Sequence, residues 1–272
     1  MAIDSSARRA LDWPGPPEKL VELCTPAEAQ AQYLSRFAEK QSPLEPVADS
    51  KDMHIGSMRI KIWRGHGAPA TGAPALLYLH GGGWVIGAPE THEDICRHLA
   101  NAVGAVVISP DYRLAPEHRF PLGLEDCAST LRWLVQQSEA LGIDPGRVVV
   151  GGDSAGGNLA AVIALMARDG AVPAVIGQLL IYPATDMGQD TDSFRRSAEG
   201  FGLTAAASRW FRDQYLAQAS DVADWRVSPL RVESVAGTAP AFIVLAGNDV
   251  LLDEGLAYAR RLEAEGTASF RT

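Results

Sequence analysis

Val148-Val149-Val150-Gly151-Gly152-Asp153-Ser154-Ala155-Gly156-Gly157-Asn158-Leu159-Ala160 is the stretch whose reading decides the fold. A β-branched run enters a glycine-rich turn, and the turn opens into an alanine-rich segment suited to helix. Gly152-Asp153-Ser154-Ala155-Gly156 fits Gly-x-Ser-x-Gly, the strand-turn-helix elbow that carries a serine nucleophile. Glycines two before and two after Ser154 leave room for a sharp turn that projects its hydroxyl past the strand end. The helix N-terminus behind it adds unpaired N–H groups and a positive dipole end, both suited to a developing oxyanion.

Outward toward the N-terminus, His80-Gly81-Gly82-Gly83-Trp84 follows the apolar run Leu76-Leu77-Tyr78-Leu79. Glycines there can turn backbone N–H groups inward where a side chain would block them, which is what an oxyanion hole requires. A phosphate-cradling loop would need GxxxxGK[ST] or a properly set GxGxxG, and neither occurs. His80, placed before the glycines, suits an orienting hydrogen bond better than proton transfer. His54, His66, His92, His98 and His118 lie in no partner pattern, so structural or surface roles are expected of them, and no metal constellation is implied.

Outward toward the C-terminus, the acid is sought after a later strand, because triads of this layout run Ser, then Asp or Glu, then His. Asp249 sits just past the apolar run Phe242-Ile243-Val244-Leu245-Ala246 and is the expected acid. Asp253 and Glu254 open the next helix, a favourable place for carboxylates whatever their role. No histidine follows His118, so the catalytic histidine is expected to be absent from the chain.

Apolar runs at 60–63, 75–79, 105–109, 147–150, 175–181 and 241–246 mostly lack period-two alternation, as strands buried on both faces do. Helical candidates lie between them at 90–103, 123–141, 155–168 and 253–265. This alternation predicts an α/β fold with a mostly parallel sheet covered by helices on both faces. Residues 1–50 and 186–225 break the rhythm and are read as one helical lid built from two segments. They separate a first core part, 51–185, from a second, 226–272. In the second lid segment Thr204 is the expected N-cap, with Phe211 and Tyr215 on one helix face.

The net charge of −9 disfavours phosphate backbones and anionic lipid, and arginines cluster no further than pairs such as Arg195-Arg196. Cys24, Cys96 and Cys127 have no CxxC spacing and read as small buried residues. The first residues lack a basic-then-apolar leader, and no apolar stretch reaches the roughly 20 residues that span a bilayer. A cytoplasmic location is expected, with no nucleic-acid partner and no membrane span.

Four ordered blocks, His80–Trp84, Asp111-Tyr112-Arg113-Leu114-Ala115-Pro116-Glu117 with the later Phe120-Pro121, the Gly152-to-Asn158 run and the Asp249-to-Gly255 run, resemble the hormone-sensitive-lipase-like family of α/β-hydrolase esterases. The resemblance implies Ser154 as nucleophile, Asp249 as triad acid, and Gly81, Gly82 and Ala155 as oxyanion donors, with His80 and Asp153 in support. It also implies hydrolysis of short to medium acyl esters through an acyl-enzyme, a small-molecule ester as partner, and no cofactor. The family places its histidine after the acid, so a last strand and helix are expected to be missing here. An exposed sheet edge and self-association through it follow. A non-catalytic small-molecule-binding member of the fold, or an amidase or deacetylase, are the competing readings.

Overall fold

The computed structural model describes residues 19–38 and 43–272. Among the described residues, eight strands form one sheet in the order β1-β2-β4-β3-β5-β6-β7-β8: β1 Asp49–Ile55, β2 Met58–Arg64, β3 Ala73–Leu79, β4 Val106–Pro110, β5 Ile143–Asp153, β6 Gly177–Ile181, β7 Ala241–Val244 and β8 Ser269–Arg271. β1 pairs antiparallel with β2, and β2 antiparallel with β4. All other neighbours are parallel.

The absence of alternation in the central runs has its explanation in two cores. Leu77, Leu79, Val106 and Ile108 belong to one buried cluster, while Leu76, Tyr78 and Val107 belong to another with Trp63, Cys96 and Ala100. Successive strand residues point to opposite faces, so both faces of β3 and β4 are covered, and every position but Ser109 is apolar. β1, DSKDMHI, is largely exposed and polar, which is why hydrophobicity did not announce it.

The helices are α1 Pro26–Ala38, α2 Glu93–Val103, α3 Leu122–Gln136, α4 Ser138–Leu141, α5 Ala155–Arg168, α6 Asp192–Arg196, α7 Ala205–Tyr215 and α8 Leu252–Ala264. α5 is buried from Ala155 through Leu165 and packs on β3, β5 and β6. Its small residues permit that approach: a Cβ on Gly156 would stand 1.9 Å from the Leu79 carbonyl oxygen.

The expectation that the sheet and its covering helix stop short is corrected. β8 is present and runs parallel to β7, with Phe242 opposite Phe270, and α8 precedes it. Of residues 265–272, Ser269–Arg271 is strand, laddered on β7.

Of the first expected lid segment, residues 1–18 and 39–42 lie outside the described residues. A 3-10 turn, Val21–Leu23, and α1 make up much of the described part, and β1 begins at Asp49. Gln30 ties α1 to the loop after the glycine run, its amide oxygen accepting from Gly87 N at 2.7 Å and its amide nitrogen donating to Gly87 O at 3.1 Å. The second segment contains α6, α7 and a 3-10 turn, Ala219–Ala223. Thr204 caps α7, accepting from Ala207 N at 3.0 Å.

Candidate active site

β5 ends at Asp153 and α5 begins at Ala155, leaving Ser154 alone at the turn with φ 53° and ψ −117°. For a residue with a side chain this is a strained backbone, held by its surroundings. Ser154 N donates to Ile181 O at 2.8 Å, fastening the turn to the end of β6. Gly152 and Gly156 both back onto the Leu79 carbonyl, where a Cβ on Gly152 would come within 2.3 Å. The glycines flanking Ser154 therefore serve close packing against β3 as well as the turn.

Asp153, directly before Ser154, is buried and gathers the glycine loop to the elbow. Its Oδ1 accepts from Tyr78 Oη at 2.9 Å and from Gly81 N at 3.1 Å. His92 Nε2 lies 3.1 Å from the same oxygen and 3.2 Å from Oδ2, while its Nδ1 is 2.8 Å from Thr91 Oγ1. Burial by itself would raise the Asp153 carboxyl, but the His92 charge and the hydrogen bonds from His92 and Tyr78 hold it below its ordinary value.

The expectation that the catalytic histidine is absent from the chain is corrected by that pair: His92 and Asp153 form a buried histidine–aspartate contact one residue from Ser154. Pattern could not reveal it, because 61 residues separate the partners and His92 sits in a 3-10 turn, Pro89–His92, with no motif around it.

Gly81 cannot carry a Cβ, which would fall 2.2 Å from Asp153 Oδ2, and its N–H is already engaged by that carboxylate. Gly82 and Gly83, with φ of 119° and 59°, line the main cavity beside Ser154 instead. A Cβ on Gly83 would meet the Phe211 ring at 2.3 Å. His80 is wholly buried, stacks on Tyr112 with centroids 4.2 Å apart, and places Nδ1 2.8 Å from Gly81 O. Burial, then the nearby His92 charge, pushes its pKa down to about 3, so it is neutral. Tyr112 Oη donates to His80 O at 2.7 Å, which gives the Asp111-Tyr112-Arg113 block a role in shaping the loop.

Asp249 follows β7 and accepts from Leu251 N at 3.0 Å. Burial raises its carboxyl above the ordinary value, opposed by that backbone donor. It lines a cavity of about 260 Å³ together with Ser154, Tyr182, Phe201 and Leu203. Among the described residues, the carboxylate paired with a histidine at the site is thus Asp153, while Asp249 shares a cavity with Ser154.

The main cavity, about 430 Å³, has Ser154, Gly82 and Gly83 on one side and residues of α1 and α7, such as Tyr33 and Phe211, on the other. Phe211 faces this space and Tyr215 packs under it, so the apolar face of α7 both docks the helix and lines the cavity. Among the described residues no group of three metal-ligating side chains occurs, and no helix is long and apolar enough to cross a membrane.

A serine on a strained elbow, an inward-turned glycine loop and a buried histidine–aspartate pair, all on an α/β sheet, define the class of α/β serine hydrolases. The chain belongs to the alpha/beta hydrolase fold family, whose model matches residues 76–270. This corrects the narrower reading of a shortened hormone-sensitive-lipase-like member. It is 45% identical over 250 residues to the carboxylic ester hydrolase LipN of Mycobacterium tuberculosis, covering 88% of this chain and 66% of that one. It is 33% identical over 247 residues to an arylesterase of Saccharolobus solfataricus, covering 88% and 80%. Among solved structures, an ester-hydrolase from the metagenome of Lake Arreo superposes with a TM-score of 0.93 at 36% identity, covering 100% of this chain and 89% of that chain. The chain spans 61% to 66% of the length of the first three curated relatives it matches.

Proposed function

We propose that the chain is a carboxylesterase that cleaves short to medium acyl esters by serine, histidine and aspartate chemistry. The observation that carries this is the strained Ser154 at the elbow, facing a 430 Å³ cavity lined by Gly82 and Gly83. The names of the relatives, an ethyl acetate hydrolase of Pseudomonas putida at 44% identity among them, support the ester bond as the target.

Ser154 Oγ attacks the ester carbonyl carbon, and the carbonyl electron pair moves to its oxygen. The N–H groups of Gly82, Gly83 and Ala155 stabilise that oxyanion; Gly81, whose N–H serves Asp153, holds the loop in place instead. Collapse expels the alcohol, which takes up the proton lost by Ser154, and water then releases the acid from the acyl-enzyme. His92 and Asp153 are the histidine–carboxylate pair of the site. In the resting state both His92 nitrogens are engaged, by Asp153 and by Thr91; hydrogen bonds that serve catalysis commonly form only once substrate is bound. Asp249 contributes a second carboxylate across the smaller cavity.

The 3-10 turn and α1 of the first segment, with α7 of the second, act as a lid over the cavity they line. Phe242 and Phe270, 47% and 64% exposed on adjacent outer strands, support self-association through that side of the sheet. A compact monomer by sedimentation would remove that last reading.

The test is hydrolysis of p-nitrophenyl butyrate by the protein and by Ser154→Ala. Release of p-nitrophenol that Ser154→Ala abolishes is the expected result. Turnover unaffected by Ser154→Ala would overturn the assignment. Ligand-induced stabilisation without product would favour the binding-protein alternative, and faster cleavage of matched amides the amidase one.

A further inference from the structure

The cavity beside Ser154 has one wall that the α/β body does not supply, and α1 makes it. Ala29, Tyr33 and Arg36 form one stripe along that helix, and all three line the cavity. Gln30 ties the stripe to the loop after the glycine run through its two hydrogen bonds with the Gly87 backbone. Tyr33 brings an uncharged polar group to this wall. Its ring is half-buried and packs edge-on against Phe37, with centroids 4.9 Å apart. Its hydroxyl has no hydrogen-bond partner among the described residues, and unlike the sealed polar atoms of the site it stays open to solvent.

The charge of Asp153 reaches that hydroxyl. Burial first, and then Asp153, push the Tyr33 phenol up to about 12. The phenols of Tyr182 and Tyr112, lifted chiefly by burial, register Tyr33 in turn. All three neighbours border Ser154 or its loop: Asp153 precedes it, Tyr182 shares the smaller cavity with it, and Tyr112 donates to His80 O. The phenol end of Tyr33 therefore faces the elbow, not the outer surface of the lid. Two properties define what it can bind. The phenol stays protonated at neutral pH, and its oxygen lone pairs are drawn into the ring, so it serves as a donor. The ionised Asp153 beside it disfavours an anion. An uncharged carbonyl oxygen meets both conditions, and an alkyl chain would leave the O–H unpaired. The scissile carbonyl is already served by the N–H groups of Gly82, Gly83 and Ala155, so the carbonyl at Tyr33 is a second one.

We propose that Tyr33 is a specificity-determining residue, whose hydroxyl donates to a second, non-scissile carbonyl oxygen of the bound ester. This rests on the esterase reading of Ser154, and the experiment separates the two.

For the test, kcat/KM is measured on ethyl pentanoate, ethyl levulinate and acetonyl butyrate, which place the second carbonyl nowhere, on the acyl side and on the alcohol side. Each oxo ester is expressed as a ratio to ethyl pentanoate, and the ratios are compared between wild type and Tyr33→Phe, so that intrinsic reactivity cancels. For one oxo ester the ratio is expected to be about fivefold lower in Tyr33→Phe, the worth of one neutral hydrogen bond. Tyr33→Phe keeps the ring and its contact with Phe37 and strands no partner, so folding is preserved. Binding of the same esters to Ser154→Ala, with and without Tyr33→Phe, is measured by calorimetry and gives the same ratios without turnover. Ratios that Tyr33→Phe leaves unchanged for both oxo esters, in turnover and in binding, overturn the proposal and leave the esterase reading intact. A fivefold change in binding, beside turnover that Ser154→Ala does not abolish, sustains the Tyr33 contact and sinks the esterase reading.

Discussion

The indole of Trp84 lies flat on the ring of Tyr215, centroids 4.5 Å apart and planes 9° from parallel. The first belongs to the glycine loop beside Ser154 and the second to α7, so the stack joins the loop to the helix that covers it. Tyr215 is 1% exposed, and its hydroxyl has no partner among the described residues. Tyr215→Ala should therefore destabilise the protein by about 3–5 kcal/mol through the cavity it leaves, and should also lower kcat by loosening the loop. Tyr215→Phe should be neutral or slightly stabilising. Urea unfolding of both variants checks this, and equal losses in both would contradict it.

Gly81→Ala places a methyl group 2.2 Å from Asp153 Oδ2 and presses on the bond that holds the glycine loop. A fall in kcat/KM of about 100-fold or more is expected, because a donor displaced by an ångström loses most of its value to the oxyanion. Steady-state kinetics on p-nitrophenyl esters reads it directly.

Removing the His92–Asp153 contact should affect both chemistry and acid stability. Asp153→Asn and His92→Ala are each expected to reduce kcat/KM by about two orders of magnitude. The Asp153 carboxyl is held below its unfolded value, so its contribution is present above the unfolded pKa and is lost as pH falls through the folded one. Acid unfolding below about pH 4 should be less steep in Asp153→Asn. An unchanged acid limb would count against the pairing.

Glu254 has the opposite sign. Burial, only partly offset by the Asp186 and Thr185 amides, raises its pKa to about 8 from an ordinary 4.5. The folded state then holds a proton that the unfolded state has lost, so this residue makes stability fall as pH rises from 4.5 to about 8. Glu254→Gln should flatten that slope, raising stability at about pH 9 by a few kcal/mol relative to pH 5. Urea midpoints for the pair at the two pH values decide it, and parallel pH profiles would refute it.

Much of the site could be read from local pattern because its parts obey local rules. The run from Val148 to Ala160 is strand, turn and helix by propensity alone, and the structure has β5, Ser154 and α5 there. Apolar runs without alternation announced β3 and β4 because both faces of those strands are buried. β1, polar and at the sheet margin, left no such mark, and α6 was too short to leave one.

What the chain's own order determined was the elbow, the glycine loop and the parallel sheet, since each rests on backbone freedom and hydrophobic period within a dozen residues. Tertiary structure alone decided which groups meet. Asp153 reaches Tyr78, Gly81 and His92 only because β3 and β5 lie side by side, with Tyr78 opposite Gly151. Gly81 N–H is thereby spent on Asp153, and Glu254 and Gln189, 65 apart in the chain, come to line the same cavity as Ser154. Burial and hydrogen bonding act through space, so no spacing along the chain could have specified them.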